Sequence, residues 1–336
     1  MKKDKNSKID FVVTWVDGND AEWQKEMIKY KEEYSDEKID ASGIRYRDWD
    51  NLKYWFRGVE KYAPWVNKVF FITCGQKPEW LNEKNPKLVL VNHEDYMQKD
   101  SLPTFNSNAI ELMIHKIKGL NEQFVLFNDD FFIIDYVKPI DFFKKGLPCN
   151  TMSLKPLLPN VSREYNKTLY NNVSIINKNF NLKKCLRNNI IKYLSPKLGK
   201  YLFRNLSLLS YDEFVGFNNF HTELCYLKTT FFKVWEKEGD VLLKTVNSRF
   251  RNYNENVSHW LFNYWQFAEG NFIQKKPNFS KNILADDEKV SNYIEKHKFK
   301  ILGIGDSEKI EDYEAVKRKI NCSFEKILPH KSNFEK

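Results

Sequence analysis

The chain has 336 residues, 42% hydrophobic and 29% charged, with a net charge of +9. That mix suits a globular protein with a sizeable core, built as one large domain or two modest ones. No apolar run reaches the roughly 18–20 residues of a spanning helix. The polar Met1–Lys8 segment lacks the apolar stretch of a signal peptide, and the five scattered cysteines show no CxxC spacing. These features argue against a membrane span, a disulfide framework or a zinc site, and a cytoplasmic protein is expected.

The first 145 residues alternate short apolar runs with helical patterns. Strands are expected at Phe11–Val16, Val69–Thr73, Leu88–Val91 and Phe124–Phe127, where β-branched and aromatic residues run into polar or turn-forming ones. Helices are expected at Ala21–Glu33, Leu52–Tyr62 and Ser107–Gly119. The last sets Ile110, Met113, Ile114 and Ile117 on one apolar face. Such alternation predicts an α/β sheet with parallel strands.

Residues 146–210 change character. They are Asn- and Lys-rich and are broken by Pro148, Pro156, Pro159 and Pro196. Thr151–Arg204 carries eleven Lys and Arg against one acid, Glu164, a net +10, while the rest of the chain is close to balanced. Leu186, Ile190, Ile191, Leu194, Leu198, Tyr201 and Leu202 form a rough amphipathic stripe, interrupted at Pro196, with Ser195 placed to cap a second helix. A pair of helices capping the core is expected. The basic faces are either plain solvated surface or a site for anionic lipid headgroups, an anionic acceptor or nucleic acid. From Tyr211 a globular pattern returns, with helices near Thr230–Glu238 and Val257–Glu269, a strand at Phe299–Ile304 and a helix from Ile310 to Phe324. The chain thus divides into 1–145, a basic insert at 146–210, and 211–336.

In open α/β sheets, ligands sit outside the carboxyl ends of the strands. The residues just after each apolar run are Asp17-Gly18-Asn19-Asp20, Cys74-Gly75-Gln76, His93-Glu94-Asp95, Asn128-Asp129-Asp130 and, late in the chain, Asp306. Acids and amides therefore gather at one expected edge. Asp129-Asp130 is the sharpest feature: adjacent carboxylates repel unless a positive group sits beside them, and a hard divalent ion such as Mg²⁺ or Mn²⁺ takes oxygen ligands of this kind. Read alone, the pair suits a turn or helix cap better than a metal site. Arg47 and Arg57 are candidate phosphate binders through their forked donors, and Asn106 or Ser107 could cap the following helix at an anion site.

These residues carry a family resemblance. Asp10–Asp20 resembles the first conserved block of the Stealth proteins. Arg45–Asp48, Ala63–Val66, Thr73–Gln76, Pro78–Trp80, Leu102–Ser107 and Asn128–Asp130 resemble the second, His221–Gly270 the third and Ile304–Glu335 the fourth. The resemblance implies a GT-A-like, Rossmann-like nucleotide-sugar fold with a helical, basic insert. It also implies a sugar-1-phosphate transferase of capsule or cell-surface polysaccharide synthesis. Such an enzyme moves a sugar with its β-phosphate from a UDP-sugar onto a hydroxyl of a glycan or lipid-linked glycan, and UMP leaves. It puts catalytic roles on Asp129, Asp130, His221 and Arg251, and a further acid on Asp306. Where some relatives have Asn-Asp, this chain has Gly305-Asp306. On this reading Asp130 and Asp306 hold Mg²⁺ or Mn²⁺. Asp17 and Asn19 face the nucleotide, and Arg47, Arg57, His93, Asn106 and Ser107 bind substrate. The insert then keeps a lipid-linked or anionic acceptor near the inner face of the plasma membrane. The alternatives are a metal-dependent glycosyltransferase that releases UDP and, more remotely, a basic nucleic-acid-binding module. Against the second, the acids sit where a phosphate backbone would be repelled.

Overall fold

The computed structural model describes residues 8–33, 47–158 and 164–336. Arg45, Tyr46 and Pro159 lie outside the described residues. The first part runs β1 (Ile9–Thr14), α1 (Ala21–Glu33), α2 (Leu52–Tyr62), β2 (Val69–Thr73), β3 (Leu88–Asn92), α3 (Ser107–Leu112), β4 (Gln123–Asn128) and β5 (Phe131–Ile133). Next come α4 (Pro139–Phe142), β6 (Phe143–Lys144), β7 (Leu147–Asn150) and the helices α5 (Tyr165–Asn179), α6 (Leu182–Tyr193) and α7 (Tyr201–Ser207). The last part is β8 (Leu224–Leu227), α8 (Lys228–Val246), α9 (Trp260–Glu269), β9 (Ile273–Gln274), β10 (Ser280–Leu284), α10 (Val290–Glu295), β11 (Ile301–Gly305) and α11 (Tyr313–Ile327).

The main sheet has the order β3-β2-β1-β4-β8. Its first four strands are parallel, as the alternating pattern requires, and β8 joins β4 antiparallel. Successive side chains of β1 point to opposite faces. Phe11 and Val13 enter a core with Trp55 and Phe56 of α2 and Phe324 of α11, whereas Val12 enters a second core with Leu112, Leu126 and Phe231. A small second sheet, β10-β11-β5, continues from the end of β4: β5 follows directly after Asp129-Asp130 and pairs antiparallel with β11. The third sheet, β6-β7-β9, lies beside the insert.

Some features differ from expectation for physical reasons. β1 stops at Thr14, not Val16, because its partner β4 ends at the matching Asn128. α3 stops at Leu112, and a single tight turn at Ile114–Lys116 keeps Ile114 and Ile117 buried while the chain swings through Gly119 (φ +82°) into β4. The insert holds three helices rather than two. α5 was hidden by its asparagines, which bond inward: Asn172 Nδ2 donates to Ser258 Oγ at 2.9 Å and Asn179 Nδ2 to the buried Glu238 at 2.7 Å. Ser195 precedes a short turn at Pro196–Leu198 and makes no side-chain cap bond. Among the described residues no helix is long and apolar enough to cross a membrane.

Arg57 is a structural residue, which corrects its reading as a phosphate binder. It is buried in α2 and grips Glu335 with two parallel bonds of 2.9 Å, while Nη1 reaches the Leu328 carbonyl at 2.8 Å and Glu325 at 3.2 Å. The fork thereby clamps the end of the chain onto α2. A buried arginine with four of its five donors committed to these partners is not free to bind a substrate. Arg57→Met leaves the Glu335 carboxylate buried and unpaired, so the variant should lose about 3 kcal/mol of stability, read from denaturant midpoints.

Candidate active site

The parallel register lines up the carboxyl ends of β1, β2, β3 and β4 at one edge. Because β8 runs the other way, its beginning lies at that same edge, and so does His221 just before it: Leu224 pairs with Leu126 near the end of β4. The β5–β11 pair brings in the end of β11. Ile304 N donates to the Asp130 carbonyl at 3.0 Å, which brings the end of β11, with Asp306 just beyond it, to the same edge.

This edge has an acidic wall. Asp129 is pushed up to about 6, chiefly by burial, with the charge of Asp48 adding to it. Asp130 is held well above the usual carboxylate range by burial and then by Asp129. Asp48 is itself raised, by burial first and then by Asp50 and Asp17. Into this wall reaches Arg47, whose Nη1 lies 3.3 Å from Asp306 Oδ1 and whose guanidinium sits 5.0 Å from the centre of the Tyr313 ring. Among the described residues, Asp130 Oδ1 and Asp306 Oδ2 are buried and have no hydrogen-bond partner.

The opposite wall is basic and aromatic. Arg251 Nη2 donates to Ser107 Oγ at 2.6 Å at the start of α3. His221 has a left-handed backbone (φ +49°), packs edge-on against Phe131 at 5.2 Å and has its Nδ1 3.1 Å from Asn282 Nδ2. Its surface is open to solvent, yet the protein packed around the ring and the nearby Arg251 hold its pKa below the ordinary value. Phe131 directly follows Asp130, so the two walls meet there.

Behind Arg251 lies a buried group that the sequence reading missed. Glu111 of α3 is pushed up to about 7 by burial, against the pull of Arg251. Its Oε2 lies 3.7 Å from His259 Nε2, and His259 Nδ1 lies 2.9 Å from the Tyr226 hydroxyl. Burial, and then His221, push His259 down to about 3, so His259 is neutral at physiological pH and Glu111 is largely protonated below about 7. Only the fold, which sets Glu111 against His259 just before α9, reveals this acid, since in sequence it sits within an apolar helix pattern.

On the β1 side, the loop after the strand is tied to Gln76. Asp17 N donates to Gln76 Oε1 at 2.8 Å, and Gln76 Nε2 returns to the Asp17 carbonyl and Asp20 Oδ2, both at 3.1 Å. Asn19 is exposed and its backbone N–H is taken by Asp17 Oδ1 at 2.9 Å. Asp17 and Asn19 therefore stand at the expected edge in a fixed turn.

Two expected substrate contacts are corrected. His93 is buried past the end of the edge strand β3, and burial pushes it down to about 4. Asn106 is fully buried, and its amide donates to Ser248 O, Phe250 O and Asn256 Oδ1 at 3.0, 3.3 and 2.9 Å. It holds the loop that carries Arg251 against Ser107, and so positions the site without reaching it.

Residues 7–35 match Stealth protein CR1, conserved region 1, and residues 45–150 match Stealth protein CR2, conserved region 2. Similar relatives include a capsular polysaccharide phosphotransferase WcwK of Streptococcus pneumoniae, 48% identical over 332 residues and 98% of each chain. They also include a receptor polysaccharide phosphotransferase WefC of Streptococcus oralis, 39% identical over 98% of this chain and 99% of the relative. A third is an exopolysaccharide phosphotransferase of Lactiplantibacillus plantarum, 37% identical over 98% and 96%. Among solved structures, the galactosyltransferase LgtC is similar with a TM-score of 0.39 and 10% identity, over 94% of this chain and 95% of that one.

Glu111 gives a pH signature. Its folded pKa of about 7 lies above the ordinary 4.5, so between those values the folded state holds a proton that the unfolded chain has released. Stability therefore falls as pH rises through that window. Glu111→Gln removes the penalty. From about pH 5 to about pH 8, the variant should gain on the parent by up to about 3 kcal/mol, measured by urea unfolding.

Relatives at 37–48% identity that span nearly the whole of both chains, with the two matched conserved regions, make this chain a member of the Stealth family of transferases.

Proposed function

We propose that the chain transfers a hexose-1-phosphate from a UDP-sugar to a hydroxyl of a glycan or lipid-linked glycan in capsule or cell-surface polysaccharide synthesis, releasing UMP. The observation that carries this reading is the pair of buried, unpartnered carboxylate oxygens, Asp130 Oδ1 and Asp306 Oδ2, beside Arg47. The phosphotransferase names of the full-length relatives support the same class of reaction.

The two carboxylates fit a hard divalent cation. Among the described residues no three His, Cys, Asp or Glu side chains form a ready cage. That suits Mg²⁺ or Mn²⁺, which commonly takes one or two carboxylates and fills its remaining positions with water and substrate phosphate. Asp130 and Asp306 would hold it. When bound, such an ion offsets negative charge on a diphosphate.

The chain's own residues divide the remaining work. Arg47 and Arg251 face the phosphate oxygens, and their charge offsets the negative charge of the transferred group. Asp17 and Asn19 face the nucleotide from their fixed turn. The acceptor oxygen attacks the β-phosphorus, the bond from that phosphorus to the oxygen shared with UMP breaks, and the acceptor proton passes to His221 or Asp129. Both are suited to receive it: the pKa of His221 is held down, which keeps the ring neutral, and Asp129 ionises near 6. Ser107 accepts from Arg251 and aims it, and Glu111 behind it, largely protonated below about 7, leaves that positive charge uncancelled there.

Purified protein supplied with a panel of UDP-sugars, Mg²⁺ and an acceptor glycan should release UMP and form a phosphodiester visible by mass spectrometry. Release of UDP would instead identify plain glycosyl transfer. Asp130→Asn should lower kcat by at least roughly 10²-fold with an unchanged circular dichroism spectrum. Gly303→Ala should lower kcat less severely, because a Cβ there would stand 2.7 Å from Asn282 Nδ2 and 3.0 Å from Phe131, the two side chains that seat His221. Full activity in either variant would remove the residue from the machinery.

A further inference from the structure

We propose that the outer side of α6 and α7 docks on an anionic lipid surface, bringing the His221 end of the cleft to the membrane–water boundary. The inference goes beyond the reaction proposed above and does not depend on which bond is broken.

The inner sides of these helices are spoken for. Leu182, Cys185, Leu186 and Tyr193 are buried in the core. Asn205 of α7 is fully buried, donates to the Tyr193 carbonyl at 2.8 Å and accepts from Leu154 N at 2.8 Å. The outer sides carry large apolar side chains in open solvent: Ile191 is 84% exposed and Phe203 is 75% exposed, with Ile190 and Leu206 next to them. A core-capping helix pair does not require this, because its apolar residues would face inward. Single exposed apolar residues are ordinary, but here two consecutive short helices each present two large ones, and we take them as one docking surface.

The charge around the patch names its partner. On α6 the exposed Lys184 and Arg187 lie on one face at i and i+3, before a kink at Asn189 that precedes the exposed Ile190 and Ile191. Lys200 is exposed at the start of α7. The stretch from Thr151 to Arg204 carries +10, and the remainder of the chain is near neutral. Several of its cations are used internally: Lys183 pairs with Asp212, Lys197 donates to the Gln274 carbonyl at 3.1 Å, and Arg204 donates to Ser153 Oγ at 3.0 Å. Lys184, Arg187 and Lys200 are exposed on the same two helices as the apolar side chains or at their start. Apolar side chains ringed by cations match a bilayer whose headgroups are negative and whose interior is hydrocarbon. A soluble anionic polymer would satisfy the cations and leave Ile191 and Phe203 without a role.

The patch also lies next to the chemistry. Tyr201, the first residue of α7, meets the ring of Phe220 edge-on at 5.3 Å, and Phe220 directly precedes His221. Docking through α6 and α7 would therefore hold the candidate proton acceptor close to the headgroups, where a lipid-linked hydroxyl is presented.

The test is flotation of the full chain with vesicles of phosphatidylcholine alone and of phosphatidylcholine mixed with phosphatidylglycerol. The expected result is binding to the anionic vesicles only, weakened by salt. Binding should fall by at least about tenfold in a double Ile191→Ser, Phe203→Ser variant and in a double Lys184→Glu, Arg187→Glu variant. All four positions are exposed, and circular dichroism checks that each variant folds. Absence of binding to anionic vesicles overturns the proposal. So does parental binding by the serine variant alongside loss in the glutamate variant, because that pattern marks a surface for a soluble polyanion.

Discussion

The structure turns on the antiparallel pairing of two short strands, β5 and β11. β5 begins one residue after the Asp129-Asp130 turn, and its pairing with β11 fixes Gly303 opposite Phe131 and lets Ile304 N bond the Asp130 carbonyl. That ladder is what carries Asp306 from the far end of the chain to the acidic pair. It also demands Gly303, because any side chain there would press on Asn282 and Phe131. The antiparallel β8 has a similar effect on the other side, since only a reversed strand puts its beginning, and hence His221, at the edge where the parallel strands end.

The resulting cleft separates charge into two walls. Asp129 and Asp130 are raised by burial and by one another or by Asp48, so the acidic wall costs free energy as it stands. Such an arrangement persists only when the rest of the fold over-determines it, and here two sheets and the Arg57–Glu335 clamp hold the chain ends in place. The second wall avoids the opposite problem. Arg251 stands near an acid, Glu111, but burial keeps that acid largely protonated below about 7, and His259 beyond it is neutral. The guanidinium therefore keeps its charge directed at the cleft through its contact with Ser107.

Much of this was legible in the sequence, and the failures have physical causes. The four parallel strands and the edge they share followed from short apolar runs ending in acids and amides, because burial on both faces of a parallel strand leaves a continuous apolar signature. Strand order, the antiparallel β8 and the short β5 were not legible, since a run as brief as Phe131–Ile133 has no periodicity to read. Arg57 looked like a phosphate binder because its partners, Glu325 and Glu335, lie at the opposite end of the chain. Asn106 was placed correctly as a helix cap, and its Oδ1 accepts from Asn108 N, but its amide group proved to be committed to the Arg251 loop. α5 escaped notice because asparagine reads as loop, and only the folded structure shows its amides turned onto buried partners.

What separates structural from functional polar burial here is satisfaction, weighed by charge. Arg57 and Asn106 are buried with several well-formed bonds each, and the fold itself accounts for them. An unsatisfied buried atom is not enough to mark a site. Both ring nitrogens of His115 lack partners, yet the ring lies among Phe231, Phe232 and Trp235, and burial pushes it down to about 3, so it stays neutral at the modest cost of a missing hydrogen bond. Asp130 Oδ1 and Asp306 Oδ2 are different in kind. They belong to acids at the edge where acids already crowd: burial and Asp129 hold Asp130 well above the usual carboxylate range, and Asp306 meets Arg47 through its other oxygen only. A fold that leaves such an oxygen on each of two acids from distant parts of its chain has a deficit that a cation would relieve, and that deficit, more than the Asp-Asp sequence, is the reason to propose the chemistry there.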